Sequence, residues 1–275
     1  MQATTTFEFR ESALSVFGSV ARFSHQRPAS RNAMTMGLRT DYSEMLDRVE
    51  ADRDLRALVI TGDGGSFCAG GDLKYMQRLV DSQDASFSSP DATRRRMGES
   101  QRWLSRLRSL EIPVIAAVDG PAFGAGFGLA LQADFVLASS RASFCLSFAR
   151  VGVIPDYGTL YLLPRLIGLM RARDLVYTAR TVHAPEGKEL GFVSAVYEPN
   201  ELLPAAHRLA EKLSAGPREA FALSKRMLNQ SFESDYATFS MLEANAQAIC
   251  MASEYHAAAV KSFLNGQSAA FDWDK

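Results

Sequence analysis

Residues 112–128 read IPVIAAVDGPAFGAGFG. The apolar run Ile112 to Val118 passes directly into a turn built almost without side chains, Gly120 to Gly128. A run that is apolar on both faces predicts a buried strand of a covered sheet rather than a half-exposed one. A short helix follows, then a further strand, Phe135 to Ala138. The same order occurs once before. Ala57 to Thr61 (ALVIT) reads as a strand, and Ser66-Phe67-Cys68-Ala69-Gly70-Gly71-Asp72-Leu73 is a second small-residue turn that leads into a helix. Such turns let a ligand reach the backbone and leave N–H groups free. Two N–H groups converging on one oxygen form an oxyanion hole, each donor contributing ~3 kcal/mol toward an enolate-like transition state.

Two other readings compete for these glycines. Gly124-Ala125-Gly126-Phe127-Gly128 imitates the turn of a dinucleotide-binding unit. That motif belongs to the first βαβ unit and needs an acid near the end of the next strand. Here the turn lies mid-chain, and Ala138-Ser139-Ser140 ends the following strand without one. The second alternative is close helix–strand packing through glycine, which explains either turn alone but explains the pair poorly.

Outward from these turns, Ser15 to Phe23 reads as a strand and Met36 to Ala51 as an amphipathic helix. Val80 to Thr93, rich in Ser, Asp and Gln, predicts a surface loop before a helix over Arg94 to Leu110. Leu166 to Ala179 predicts one helix. Ala184-Pro185-Glu186 starts a short helix that Gly191 ends, before a strand Phe192 to Tyr197. Helices Pro204 to Ala215, Pro217 to Gln230, Ser234 to Met251 and Ser253 to Leu264 complete the chain. The expected organisation is an α/β core over residues 1–200 and a helical region over 201–275.

Bulk properties exclude several function classes. The chain has 275 residues, 47% of them hydrophobic and 22% charged, with a net charge of −1. No global field draws nucleic acid or anionic membrane to it. The runs Arg94-Arg95-Arg96 and Arg171-Ala172-Arg173 read as solvated faces. Cys68, Cys145 and Cys250 are far apart and odd in number, so a disulfide framework or zinc site is not expected. The four histidines, His25, His183, His207 and His256, lack ligand spacing, and no metal is expected. No apolar run reaches membrane-spanning length. A cytoplasmic protein is the expectation.

The chain resembles the crotonase (enoyl-CoA hydratase/isomerase) superfamily over nearly its whole length. The resemblance rests on Arg27-Pro28-Ala29-Ser30-Arg31-Asn32-Ala33-Met34, on Ala69-Gly70-Gly71-Asp72-Leu73, on the Gly120 to Gly126 turn, and on Leu163-Pro164-Arg165-Leu166-Ile167-Gly168. It implies a spiral of ββα units with a C-terminal helical trimerisation region, assembled as a homotrimer or a dimer of trimers. It implies coenzyme A thioester substrates and no separate cofactor. The oxyanion amides then fall on Ala69 and Ala125. Arg27, Ala29, Ala33, Gly70, Gly71, Asp72, Leu73, Gly124, Phe148 and Tyr157 line the substrate and coenzyme A path. Where relatives place a lysine three residues after Phe263, this chain has Gly266.

Hydratases of the family carry two glutamates, which position and deprotonate a water. Their places fall on Gly128 and Phe148, which can do neither. One carboxylate remains, Asp156, in Val153-Ile154-Pro155-Asp156-Tyr157-Gly158-Thr159. This stretch resembles the Pro-Asp-x-Gly segment of the family's isomerases, where the acid shuttles a proton. From its local context alone Asp156 reads as a helix N-cap. Asp72 has the same cap reading, Tyr157 and Tyr161 read as pocket wall, and Cys68 as packing. Three functions follow. The first is an isomerase using Asp156. The second is a hydratase borrowing another acid, Glu99 or Asp84. The third is an idle acyl-CoA-binding or scaffolding subunit.

Overall fold

A computed structural model describes residues 4–268 and 270–273. The chain opens with an antiparallel meander, β1 (Thr5–Glu8), β2 (Ser12–Phe17) and β3 (Val20–His25), followed by α1 (Met36–Ala51). The run expected as one strand over 15–23 is thus two. Gly18, at φ 59°, opens the two-residue turn that folds it back. Next come β4 (Ala57–Gly62), α2 (Leu73–Asp81), α3 (Ala85–Ser88) and α4 (Pro90–Ser109). Then follow β5 (Val114–Val118), β6 (Pro121–Phe123), α5 (Ala125–Ala130), β7 (Phe135–Ser139), β8 (Ser143–Cys145), α6 (Thr159–Ile167) and α7 (Leu169–Thr178). The last elements are β9 (Thr181–His183), α8 (Ala184–Leu190), β10 (Ala195–Tyr197), α9 (Pro199–Ser214), α10 (Arg218–Gln230), α11 (Tyr236–Met251) and α12 (Glu254–Leu264).

The strands form two sheets, β1-β2-β3-β4-β5-β7-β10 and β6-β8-β9. From β3 to β10 the large sheet is parallel. Each repeat adds a strand to the large sheet, a strand or bridge to the small one, and then a helix. Thus β4 leads to a bridge from Cys68 to Ala122 and then to α2, while β5 leads to β6 and α5. This is the expected spiral of ββα units.

Alternation along β4 and β5 feeds two layers. Leu58, Ile60, Val114, Ala116 and Val118 pack with Leu38, Met45 and Leu46 of α1 and with Trp103, Leu104 and Leu107 of α4. Ala57, Val59, Ile115 and Ala117 face the other way, onto Leu202, Ala206, Ala210 and Leu213 of α9. The division near residue 200 is therefore not where the packed core ends. Helix α9 starts at Pro199, its fixed φ suiting the first turn, and covers the sheet's second face.

Residues 80–93, expected as a loop, are mostly helical. Two of the residues that suggested a loop are N-caps instead: Asp84 Oδ1 accepts from Ser86 N–H (2.8 Å) and Ser89 Oγ from Ala92 N–H (3.2 Å). Pro90 then takes the first position of α4. The single helix expected over 166–179 is the end of α6 and all of α7, split at Gly168 (φ 80°). The strands expected from Ile112 and Phe192 begin two and three residues later, at Val114 and Ala195. Helices α10, α11 and α12 bury none of their residues. No helix among the described residues is long and apolar enough to cross a membrane.

Candidate active site

The two small-residue turns lie against each other. Cys68 N–H donates to Pro121 O (3.0 Å), and Phe123 N–H to Cys68 O (2.9 Å). A Cβ on Gly126 would stand 2.1 Å from Cys68 O, and one on Gly70 (φ 98°) 2.8 Å from Phe123 O. Side chains at these places would push the turns apart, so the poverty of side chains is a requirement of the contact.

An account of the N–H groups shows which are unengaged. Ala125 is the first residue of α5, after Gly124 at the N-cap, so its amide has no partner in the helix. On the other turn, the Ala69 N–H donates to Arg31 O at 2.9 Å. The Gly70 N–H has no backbone acceptor among the described residues, and it holds the Cys68 thiol lower than burial alone would. Gly71 is the next amide, and among the described residues it donates to no group. Ala69, expected as an oxyanion donor, is therefore unsuited to that role, and Gly71, two residues on, is the amide left open.

The segment 27–34 clasps this turn. Asn32 Oδ1 accepts from Arg27 N–H (2.8 Å), and its Nδ2 donates to Asp63 O (2.9 Å) and Ser66 O (2.6 Å). Arg31 and Asn32 both sit at positive φ, 51° and 53°. The guanidinium of Arg27 pairs with Glu11 at 2.9 Å and is half-buried. Ala29 is exposed and Ala33 half-buried. Asp72 is an N-cap, accepting from Lys74 N–H at 2.9 Å. Leu73, 69% exposed, begins α2 with its side chain in the open.

Asp156 is not a cap. The N-cap of α6 is Gly158, and no side chain caps that helix. Asp156 Oδ1 is buried and has no hydrogen-bond partner among the described residues. Burial pushes its carboxyl up to about 6, against the pull of the Arg39 guanidinium and of its own backbone N–H. The next residue, Tyr157, is fully buried at φ 54° with its ring against Trp103, so it is core rather than pocket wall. Nor is Tyr161 wall. Its hydroxyl donates to Glu233 (2.7 Å), which also receives Arg165 (2.6 Å), and the Arg165 guanidinium lies 3.6 Å above its ring.

Neither place of the hydratase glutamates holds a carboxylate, and at Gly128 the space for one is closed. A Cβ on Gly128, one turn after Ala125, would meet Thr159 Oγ1 at 2.6 Å and Tyr157 Cβ at 2.8 Å. Phe148 is buried, its ring 3.8 Å from where a Cβ on Gly124 would stand. The substitute acids do not replace them. Glu99 is exposed, and Asp84 is an exposed cap.

Sequence reading passed over one buried polar pair. His25 Nδ1 lies 2.9 Å from Phe67 O, and its Nε2 lies 2.7 Å from the Tyr42 hydroxyl. A histidine inside an apolar strand was the available signal. Burial pushes His25 down to about 4 and the Cys68 thiol up to about 11, so the ring is neutral and Cys68 no nucleophile at neutral pH. Among the described residues no three His, Cys, Asp or Glu side chains gather to hold a metal ion. Clefts of about 520 Å³ beside β2 and the end of α1, and of about 180 Å³ between α6 and α7, touch neither glycine turn nor Asp156.

Two touching turns thus present the unengaged amides of Gly71 and Ala125, and Gly128, one helical turn after Ala125, packs against the backbone of Asp156. Comparison with known proteins gives the family. The family model described as enoyl-CoA hydratase/isomerase matches residues 17–273, and the chain belongs to that family of acyl-CoA enzymes. It is 32% identical over 246 residues to a crotonyl-CoA hydratase of Syntrophomonas wolfei, covering 89% of this chain and 91% of that one. It is 34% identical to the 1,2-epoxyphenylacetyl-CoA isomerase of Escherichia coli, over 89% and 92% of the two chains. A crystal structure of an enoyl-CoA hydratase/isomerase from Cupriavidus metallidurans CH34 superposes with a TM-score of 0.91 at 39% identity, over 96% and 97% of the chains. The fold is the one these relatives share.

Proposed function

We propose that the protein is an acyl-CoA isomerase that shifts a double bond in an enoyl-CoA or rearranges a related ring-derived thioester. The observation that carries this reading is the buried Asp156 Oδ1, without a hydrogen-bond partner among the described residues, with the place of a second acid filled by Tyr157 and Thr159. The thioester carbonyl oxygen sits between the amides of Gly71 and Ala125, which stabilise the enolate as it forms. Asp156 takes a proton from C2, the electron pair moves into the enolate, and the same carboxyl returns the proton at C4. No water enters the product. The helices α10 to α12, with no buried residue of their own, form the surface on which subunits assemble.

The test offers the protein a 3-enoyl-CoA and a 2-enoyl-CoA in 18O-water. Interconversion of the two with little labelled 3-hydroxyacyl product is the expected result. Rapid 18O incorporation would replace this reading with a hydratase. No turnover of either thioester, with binding retained, would leave an acyl-CoA-binding subunit.

A further inference from the structure

His25 and Tyr42 are polar side chains in the core, both fully buried, and nothing in the proposed chemistry uses them. Their protonation follows from their partners. A carbonyl can only accept, so His25 Nδ1 carries the proton and donates to Phe67 O at 2.9 Å. The ring is neutral, so Nε2 accepts, and the Tyr42 hydroxyl donates to it at 2.7 Å. Phe67 begins the turn that ends at Gly71. The peptides that follow are held in succession by backbone groups: Cys68 N–H on Pro121 O, Phe123 N–H on Cys68 O, Ala69 N–H on Arg31 O, and Met34 N–H on Gly70 O. The anchor on Phe67 O is a side chain, as is the Asn32 Nδ2 that holds the preceding Ser66 O at 2.6 Å. Tyr42 is in turn stacked on Trp103, at 4.5 Å and 19°, and the Trp103 ring meets Tyr157 edge-on at 5.6 Å. Tyr157 adjoins Asp156. A continuous line of contacts therefore joins the turn that presents Gly71 to the residue that carries the proton.

We propose that His25, oriented by Tyr42, is a positioning residue that fixes the Gly71 amide relative to Asp156, so that the oxyanion donor and the proton carrier keep one spacing. The proposal rests on the oxyanion-hole reading above, and it is independent of whether the reaction is isomerisation or hydration.

Acetoacetyl-CoA separates the two. This β-ketothioester ionises to an enolate with its own near-ultraviolet band, and amides directed at its carbonyl oxygen lower the pH at which it ionises. Four variants divide the contacts. Asn places its amide nitrogen where His Nδ1 stands and keeps the bond to Phe67 O, whereas Gln places it where Nε2 stands and loses that bond. His25→Leu loses both bonds, and Tyr42→Phe only the one to Nε2. Bound acetoacetyl-CoA is expected to ionise at lower pH than free acetoacetyl-CoA on the unmodified protein and on His25→Asn. On His25→Gln and His25→Leu that shift is expected to shrink, and kcat to fall about tenfold with KM little changed, the scale of a misplaced catalytic group. Tyr42→Phe should fall between. Thermal melts establish which variants fold. If His25→Leu does not, the Asn and Gln variants carry the comparison. A merely structural histidine would lower the melting temperature and leave the ionisation of bound acetoacetyl-CoA unmoved. Equal ionisation and equal kcat in the Asn and Gln variants would overturn the proposal. Absence of any shift on the unmodified protein would overturn the oxyanion reading and the proposal together.

Discussion

Asp156 holds a charge where desolvation resists it, and two consequences follow with opposite signs. The carboxyl must be ionised to take a proton, so kcat/KM should rise with unit slope as pH passes through about 6 and level above it. Stability runs the other way. The folded-state pKa lies above the unfolded value, so the folded form is favoured most at acid pH and loses that contribution as pH rises through about 6. Asp156→Asn should lose ~100-fold or more in turnover with binding little changed. At pH 8 it should be more stable by about 1–2 kcal/mol, after discounting for a carboxyl that is partly open to solvent. Melts at pH 8 and pH 4 check this: the gain should vanish at the lower pH. Gly128 gives a second prediction. Gly128→Ala drives a methyl onto Thr159 and Tyr157 and should cost about 1–3 kcal/mol. A melting temperature equal to the parent's would show that the segment 156–159 yields. The missing glutamates at 128 and 148 were legible in the sequence. What fills their space was not, because Thr159 is thirty-one positions from Gly128 and only the fold brings them together.

At the scale of elements, the strands and both glycine turns could be read because apolar runs bounded by glycine leave few other choices. The short helices over 80–93 could not. Ser and Asp serve loops and N-caps equally, and what decides is whether the next N–H groups turn back onto the side chain. The donor on the first turn was beyond reach for a related reason. Three amides in a row look alike in Ala69-Gly70-Gly71, and the Arg31 carbonyl that removes one of them lies thirty-eight residues upstream. The position of Ala125 makes the oxyanion hole testable without breaking a helix. Proline is at home in the first turn, where no hydrogen bond to the preceding chain is lost. Ala125→Pro should therefore fold while losing its donor and ~100-fold or more in turnover. A folded Ala125→Pro with unchanged turnover would move the carbonyl to another pair of amides.

The molecule as a whole presents Leu228, Phe232, Tyr236, Met241, Ile249, Met251, Phe263 and Leu264 to solvent, all on or beside α10 to α12 and each more than half exposed. That is more apolar surface than single exposed residues account for, and the proposed assembly with other copies of the chain would cover it. Light scattering at micromolar concentration should show a trimer or a multiple of it, and a monomer would contradict the assembly role. The Tyr161–Arg165–Glu233 clasp ties this surface to the chemistry. Glu233 stands in the turn between α10 and α11, while Tyr161 and Arg165 belong to the helix that starts three residues after Asp156. On the proposed assembly, subunits that part would leave Glu233 on an unsupported turn and loosen the helix that follows the acid. Turnover per chain should then decline on dilution through the range where the assembly comes apart, and return on reconcentration. The enzyme would be its own concentration gauge, most active where its copies are crowded.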